Sequence, residues 1–150
     1  MQEYVLVLLQ RDDEVLLIEK DRPAFQKGRL NLPGGKIDDG ESADIAAGRE
    51  IREEIGLAMR QVSRRGELRG SDYAIHCFCG EGDFDKDLKP REGETEVPRW
   101  VTWKDAVRDD RLMPNLRVVV PLMMAGVEGW VLEGDDVLEY RKHVMTVRFS

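Results

Sequence analysis

The strongest constraint on this chain is a helix-forming segment, residues 42–55, whose two sides differ in chemistry. Ser42 is a suitable N-cap, and Gly56 suits the position that ends a helix. Ile51 and Ile55 are four residues apart, so one side of the helix is apolar and can pack on a sheet. The spacing therefore predicts an amphipathic helix that lies against β-structure.

The other side of this helix carries three carboxylates. Glu50, Glu53 and Glu54 stand at positions i, i+3 and i+4 and share one face. At an effective dielectric near 20, each pair of such charges costs on the order of 3 kcal/mol when unscreened. Arg49 and Arg52 flank the cluster, so one interpretation is a set of solvated glutamates paired with arginines. The other is a set of hard oxygen ligands for Mg²⁺ or Mn²⁺.

The residues just before the helix favour the metal-binding interpretation. Pro33, Gly34 and Gly35 form a turn-like segment whose backbone can closely approach a ligand or a metal ion. Glu41 lies directly before the helix and adds a carboxylate on the side of the acidic face. Loop and helix together therefore predict a site rather than a plain solvated surface.

The rest of the chain predicts further strands and one more strong helix. Two apolar runs, 5–9 and 15–18, flank a polar turn and predict a β-hairpin. Further predicted elements are strands over 73–79 and 97–103, a short helical turn over 104–107, a helix over 115–125 and late strands over 130–132 and 144–149. Because no regular strand–helix repeat occurs, we expect a mixed sheet with helices on its faces, in the α/β or α+β class.

The carboxylate segment resembles a known family motif. It reads Gly35, five residues, Glu41, seven residues, and then Arg-Glu-Ile-Arg-Glu-Glu-Ile-Gly-Leu over 49–57. This pattern is similar to the Nudix box at every defined position, so residues 35–57 are identified as such a box. The resemblance implies a Nudix-type α/β/α sandwich, with a mixed β-sheet between helices, as a single domain over residues 1–150.

The resemblance also implies an activity, the hydrolysis of a nucleoside diphosphate linked to another group. The implied metal ligands are the Gly35 carbonyl and the carboxylates of Glu50, Glu53 and Glu54. Arg49 is implied to hold the catalytic glutamates in place, and Glu41 to support the site through contacts with them. The expected cofactor is Mg²⁺, with Mn²⁺ as a second possibility.

The group that accepts a proton from the attacking water is left open by the sequence. Glu53 or Glu54 of the box are candidates. In several Nudix subfamilies this base lies on a later loop, and Glu94 and Glu96 precede Trp100 at such a place. The sequence does not rank these two, and a solvated acidic loop is the alternative for both.

Residues outside the box point to a nucleotide pocket. The stretch 28–36 resembles that of MutT-type enzymes, which act on oxidised purine nucleoside triphosphates, and this implies that Asn31 and Lys36 contact substrate. Asn115 either pairs with the edge of a purine or caps the second helix. The charged stretch 80–93 is a departure, since the smallest MutT-type enzymes have no clear counterpart to it.

We therefore expect a pyrophosphohydrolase that cleaves an ordinary or oxidised purine nucleoside triphosphate to the monophosphate and pyrophosphate. The same chemistry on ADP-ribose, a nucleotide sugar or a capped RNA end is an alternative. A non-catalytic nucleotide-sensing domain is less expected, because all the box carboxylates are present. Homodimers are common among proteins that resemble this one.

Charge and composition limit the partners and the location. The 30 acidic residues outnumber the 23 Lys and Arg residues, giving a net charge of −7, which offers no evident track for nucleic acid. No apolar run is long enough to span a membrane. Cys77 and Cys79 are one residue apart, where a bridge is geometrically poor, so we expect free thiols and a cytoplasmic protein.

Overall fold

A computed structural model describes residues 1–85, 87–134 and 146–149. Its strands are β1 (Gln2–Arg11), β2 (Glu14–Glu19), β3 (Leu30–Asn31), β4 (Gly34–Lys36), β5 (Gln61–Arg69), β6 (Tyr73–Glu81), β7 (Val97–Thr102), β8 (Trp130–Glu133) and β9 (Thr146–Phe149). Its α-helices are α1 (Ala43–Ile55), α2 (Trp103–Arg108) and α3 (Leu116–Met124), and a short 3₁₀-helix spans Ala24–Gln26.

The strands form a mixed sheet in the order β3-β2-β1-β6-β5-β8-β9. β1 runs parallel to β6 and β5 runs parallel to β8, whereas the other pairs along this path are antiparallel. β4 pairs with β1, and β7 pairs with β2. The predicted mixed α and β class is confirmed.

Both faces of the sheet are buried. On one face, Val5, Val7 and Leu9 of β1 share a core with Ile51 and Ile55 of α1. On the opposite face, alternate β1 residues share a second core with apolar residues of α3. β1 is therefore apolar at successive positions because each of its sides packs against a different helix layer.

The divergence of β1 and β2 positions the acidic helix. The predicted hairpin is present, but its strands pair at only two positions, Gln10 with Val15 and Arg11 with Glu14. Beyond that point β4 takes the place of β2 beside β1, where Gly35 pairs with Val5. The glycine segment thus lies on the sheet, directly before the connection to α1.

The two strong helix predictions are confirmed, with differences at their N-termini. Ser42 is the N-cap residue of α1, as predicted, and its backbone is extended, but its side chain makes no capping hydrogen bond to the described residues. Gly56 ends α1 in the left-handed region at φ 76° and donates to the carbonyls of Ile51 and Arg52.

Three further differences concern strands. β5 was not predicted because only residues 66–68 of it are buried and a bulge between Arg64 and Gly66 breaks its alternation. The strand predicted over 97–103 ends at Thr102, whose hydroxyl caps α2 by accepting from the Asp105 N–H at 3.3 Å. The last strand covers 146–149, and residues 144–145 of that prediction lie outside the described residues.

Both cysteines lie on β6. Cys77 is buried, Cys79 is half-buried, and neither forms a disulfide. Burial raises the pKa of both thiols. The helices that the structure describes include none with the length and apolar character needed to cross a membrane.

Candidate active site

The glycine segment lies against the acidic helix without room for side chains. A Cβ atom built at Gly35 would overlap the Glu50 carboxylate, and one at Gly34 would overlap the Val5 carbonyl oxygen. Close approach to the β1 backbone therefore requires glycine at Gly34, whereas a side chain at Gly35 would have to displace the Glu50 carboxylate. The backbone of β4 and the carboxylates of α1 consequently share one small space.

Arg49 is the hub of the carboxylate cluster. Its Nε and Nη2 donate to the two oxygens of Glu41 at 2.8 and 2.9 Å, and its Nη1 donates to Glu50 at 2.9 Å and to Glu53 at 3.3 Å. Nη2 also donates to the Lys36 carbonyl at 3.0 Å. One guanidinium thus ties the helix, the preceding turn and β4 together.

The Arg49 network shifts the ionisation of its members. The hydrogen bonds from Arg49 lower the pKa of Glu41 to about 2, and the same contact raises the pKa of Arg49. Glu41 is therefore ionised at any ordinary pH and acts as a fixed counter-charge to Arg49.

Glu50 and Glu54 lie in a different environment. Glu54 is 8% exposed, and burial, followed by the charge of Glu50 and then that of Glu96, raises its pKa to about 8. Lys20 and the Gly34 N–H act in the opposite direction. Burial also raises the pKa of Glu50, whose carboxyl group is hydrogen-bonded to Glu54. Two adjacent buried carboxyl groups need either a shared proton or a cation between them.

The donor set fits a hard divalent cation. Carboxylates of Glu50, Glu53 and Glu54 and the carbonyl of Gly35 are oxygen ligands of the kind that Mg²⁺ and Mn²⁺ prefer. In the described part of the chain, no three His, Cys, Asp or Glu side chains converge closely enough to hold a metal ion. The reason is visible in the geometry, since Glu50 and Glu53 are turned toward Arg49.

The side chains of Glu94 and Glu96 have different surroundings in the structure. Glu96 is 7% exposed and accepts from Lys20 Nζ at 3.1 Å and from the Asp21 N–H at 3.0 Å, and its charge acts on Glu54. Glu94 accepts instead from the N–H groups of Thr95 and Glu96 in its own loop. Only Glu96 is brought to the carboxylate site.

Lys20 was missed by the sequence reasoning. It follows β2 directly and is joined to Glu96, a residue 76 positions away. No local pattern marks a single lysine at the end of a strand as a site residue, so only the fold reveals this contact.

A cavity of about 340 Å³ opens beside the glycine segment. Gly34 and Gly35 belong to its lining, and so do all three predicted substrate-binding residues, Asn31, Lys36 and Asn115. Asn115 is 2% exposed, has helical backbone angles, and makes no capping hydrogen bond to the described residues of α3. Asn115 therefore lies both at the N-cap position of α3 and in the lining of the cavity.

Comparison with known proteins agrees with this geometry. The family model described as the NUDIX domain matches residues 2–123, which include the whole of the 35–57 motif. The chain belongs to the Nudix hydrolase family. The predicted resemblance to this family is thereby confirmed.

Nudix relatives differ in the substrates in their names. The chain is 29% identical over 129 residues to "CTP pyrophosphohydrolase" of Escherichia coli, covering 83% of this chain and 90% of that protein. It is 39% identical over 99 residues to "Putative 8-oxo-dGTP diphosphatase 2" of Mycobacterium tuberculosis, covering 59% of this chain and 64% of that one. A third relative, "Oxidized purine nucleoside triphosphate hydrolase" of Mus musculus, is 35% identical over 103 residues, with 65% and 64% covered.

Solved Nudix structures confirm the fold. A mutator MutT protein from Bacillus halodurans superposes with a TM-score of 0.78 at 15% identity, covering 97% of each chain. A Nudix hydrolase from Nitrosomonas europaea superposes with a TM-score of 0.70 at 24% identity, covering 85% of this chain and 90% of that one.

The charged stretch 80–93 lies against the end of the Nudix-box helix. Lys89 N–H donates to the Ile55 carbonyl at 2.7 Å, and Arg91 N–H donates to the Glu53 carbonyl at 3.0 Å. These bonds satisfy carbonyls that a helix C-terminus leaves unpaired. The Arg91 side chain also lies 3.7 Å from the Glu53 carboxylate, so the described part of this stretch supports the acidic face.

Proposed function

We propose that this chain is a divalent-cation-dependent pyrophosphohydrolase that converts a nucleoside triphosphate to the nucleoside monophosphate and pyrophosphate. One observation carries the proposal. The cavity lined by Asn31 and Asn115 shares Gly34 and Gly35 with the carboxylate site, where Gly35 touches Glu50. A nucleotide with its base in the cavity therefore places its phosphates beside the carboxylates of α1.

Glu50, Glu53, Glu54 and the Gly35 carbonyl would hold the cation, Mg²⁺ or Mn²⁺. When bound, the cation would neutralise charge on the phosphate oxygens and lower the pKa of a water molecule. Arg49 fixes the orientation of Glu50 and Glu53, and Glu41 fixes Arg49. Lys36, which is exposed at the mouth of the cavity, supplies a positive charge for the phosphates.

The proton acceptor is best placed at Glu53. Its side chain is 34% exposed and reaches solvent, whereas Glu54 is buried. Glu96 is buried as well, at 7% exposed, and lies 3.1 Å from Lys20. A water molecule can therefore approach Glu53 more readily than either of the other two, which suits a general base.

A purine nucleoside triphosphate, ordinary or oxidised, is the substrate that we propose first. Two relatives carry oxidised purine nucleotides in their names, and the side chains of Asn31 and Asn115 line the cavity, where amide groups can hydrogen-bond to a base edge. Other relatives are named for CTP, ADP-ribose and NAD-capped RNA, so these chemistries belong in the test.

The test is a kcat/KM survey with saturating Mg²⁺. The substrates are ordinary and 8-oxo nucleoside triphosphates, ADP-ribose, UDP-glucose and a dinucleoside polyphosphate, with Glu53→Gln protein as the blank. A preference for one purine triphosphate supports the proposal. A preference for a sugar-linked diphosphate refutes the substrate assignment. If none of the substrates is cleaved but nucleotides bind measurably, the chain is a sensing domain instead.

A further inference from the structure

The cavity is lined by a third amide side chain, that of Gln26, which no sequence motif marks. Gln26, Asn31 and Asn115 all line the cavity, and they are 9%, 9% and 2% exposed. Apolar residues such as Leu32 and Met113 form neighbouring parts of the wall. Three buried amides in a mostly apolar cavity are typical of a ligand site that orients its ligand by a few hydrogen bonds.

The side-chain oxygens of Asn31 and Gln26 differ in the hydrogen bonds that they accept. Asn31 Oδ1 already accepts from the Leu32 N–H at 2.8 Å, so Asn31 offers the cavity its amide N–H donors. Gln26 Oε1 is buried and accepts no hydrogen bond from any residue within 1–85, 87–134 or 146–149. Buried acceptors without a partner are rare in native proteins and call for an explanation.

The backbone holds Gln26 in position independently of its side chain. The Gln26 N–H donates to the Pro23 carbonyl at 2.9 Å, and the Gln26 carbonyl accepts from the Arg29 N–H at 2.8 Å. The loop is therefore ordered by its main chain, and Gln26 brings to the lining of the cavity a buried acceptor that has no hydrogen-bond partner among the described residues.

We propose that Gln26 determines base preference, with its Oε1 accepting a hydrogen bond from an exocyclic amino group of the nucleobase. Asn31 donates to an acceptor atom on the same base. This inference rests on the proposed function, because it needs a nucleotide in the cavity. The substrate class is then nucleotides of guanine, adenine or cytosine, including oxidised forms, in preference to hypoxanthine or uracil, which lack an exocyclic amine.

The experiment compares matched nucleotides that differ at the amino group. The kcat/KM values are measured for dGTP against dITP and for dCTP against dUTP, in the wild type and in Gln26→Met and Gln26→Glu variants. Gln61→Met, at an exposed position on β5, is the matched control. Dissociation constants of GMP and IMP, measured calorimetrically without metal, give a second readout that needs no turnover.

We expect the wild type and the control to prefer the amino member of at least one pair by about tenfold or more, since polar sites reject analogues that leave a buried group unpaired. Gln26→Met is expected to bring that ratio to within about twofold of unity. Gln26→Glu keeps an acceptor and is expected to retain the preference. Because each comparison is a ratio of two kcat/KM values, a general loss of activity that affects both nucleotides of a pair cancels.

Two results would overturn the inference. One is an amino preference that Gln26→Met leaves unchanged, and the other is a loss of preference in Gln26→Glu as complete as in Gln26→Met, which would mean that the amide donates. Should Gln26→Met fail to fold, a wild-type ratio near unity or a complete loss of preference in Gln26→Glu would still contradict the inference. Failure of the wild type to bind or cleave any nucleotide would instead refute the proposed function.

Discussion

Replacing Arg49 with Met is expected to destabilise the metal-free protein strongly. Arg49 is 21% exposed on its side chain and is hydrogen-bonded to Glu41, Glu50 and Glu53, of which Glu41 and Glu50 are each 12% exposed. Hydrogen bonds to charged groups contribute about 1.5–3 kcal/mol each, and breaking a buried pair leaves its partner uncompensated. Allowing for partial exposure, we expect a loss of about 3 kcal/mol in the free energy of unfolding.

The assay is urea denaturation in EDTA, followed by circular dichroism, with Arg52→Met as the matched control. Arg52 lies on the same helix, is exposed, and forms no ion pair with the described residues, so its replacement should change stability by less than about 0.5 kcal/mol. In thermal unfolding the Arg49 variant should lose about 6–12 °C. Equal effects of the two substitutions would refute the role of Arg49 as the hub.

The loss of stability caused by Arg49→Met should also depend on pH. The pKa of Glu41 is lowered to about 2 in the folded protein from 4.5. A lowered pKa contributes stability that is present above pH 4.5 and lost as the pH falls toward 2. The stability difference between the wild type and Arg49→Met should therefore narrow below pH 4.5, and a difference that stays constant from pH 6 to pH 2.5 would contradict the assignment.

Four further outcomes are expected. Glu53→Gln should reduce kcat by at least about 100-fold with little change in Tm, because the side chain is partly exposed; near-normal turnover would exclude it as the base. Asn115→Ala should alter KM or base preference far more than it lowers Tm, and a loss of stability of about 1 kcal/mol with unchanged kinetics would favour the capping role instead. Glu96→Gln should lower kcat/KM far more than Glu94→Gln, since only Glu96 acts on Glu54, and equal losses would argue against that placement. Because the pKa of Glu54 is raised to about 8, its contribution to metal-free stability falls between pH 4.5 and 8, so Mg²⁺ should raise Tm more at pH 8.5 than at pH 6.

The parts of the fold set by local periodicity could be predicted from the sequence. α1 and α3 were found because their apolar residues recur at helical spacing, and the carboxylate face of α1 follows from the same spacing. β5 was missed because a bulge and charged residues hide its alternation. Ser42 was expected at the N-cap from its residue type and lies there, although its side chain makes no capping hydrogen bond to the described residues.

The site was predictable where its residues are close in sequence. Gly35, Glu41 and Arg49 meet because β4, a turn and α1 follow one another directly. Lys20 and Gln26 were not predicted, because each lies beside residues that are distant in sequence. No local sequence pattern indicates such contacts. The ranking of Glu96 above Glu94 likewise needed the position of their loop relative to β2.

The most direct test of the central claim is product analysis by ³¹P NMR after incubation of the wild-type protein with a purine nucleoside triphosphate and Mg²⁺. The account predicts nucleoside monophosphate and pyrophosphate in equal amounts, with turnover abolished by EDTA. Nucleoside diphosphate and orthophosphate as products, or turnover that persists in EDTA, would contradict the assignment of the α1 carboxylates and Gly35 as a metal-dependent pyrophosphohydrolase site.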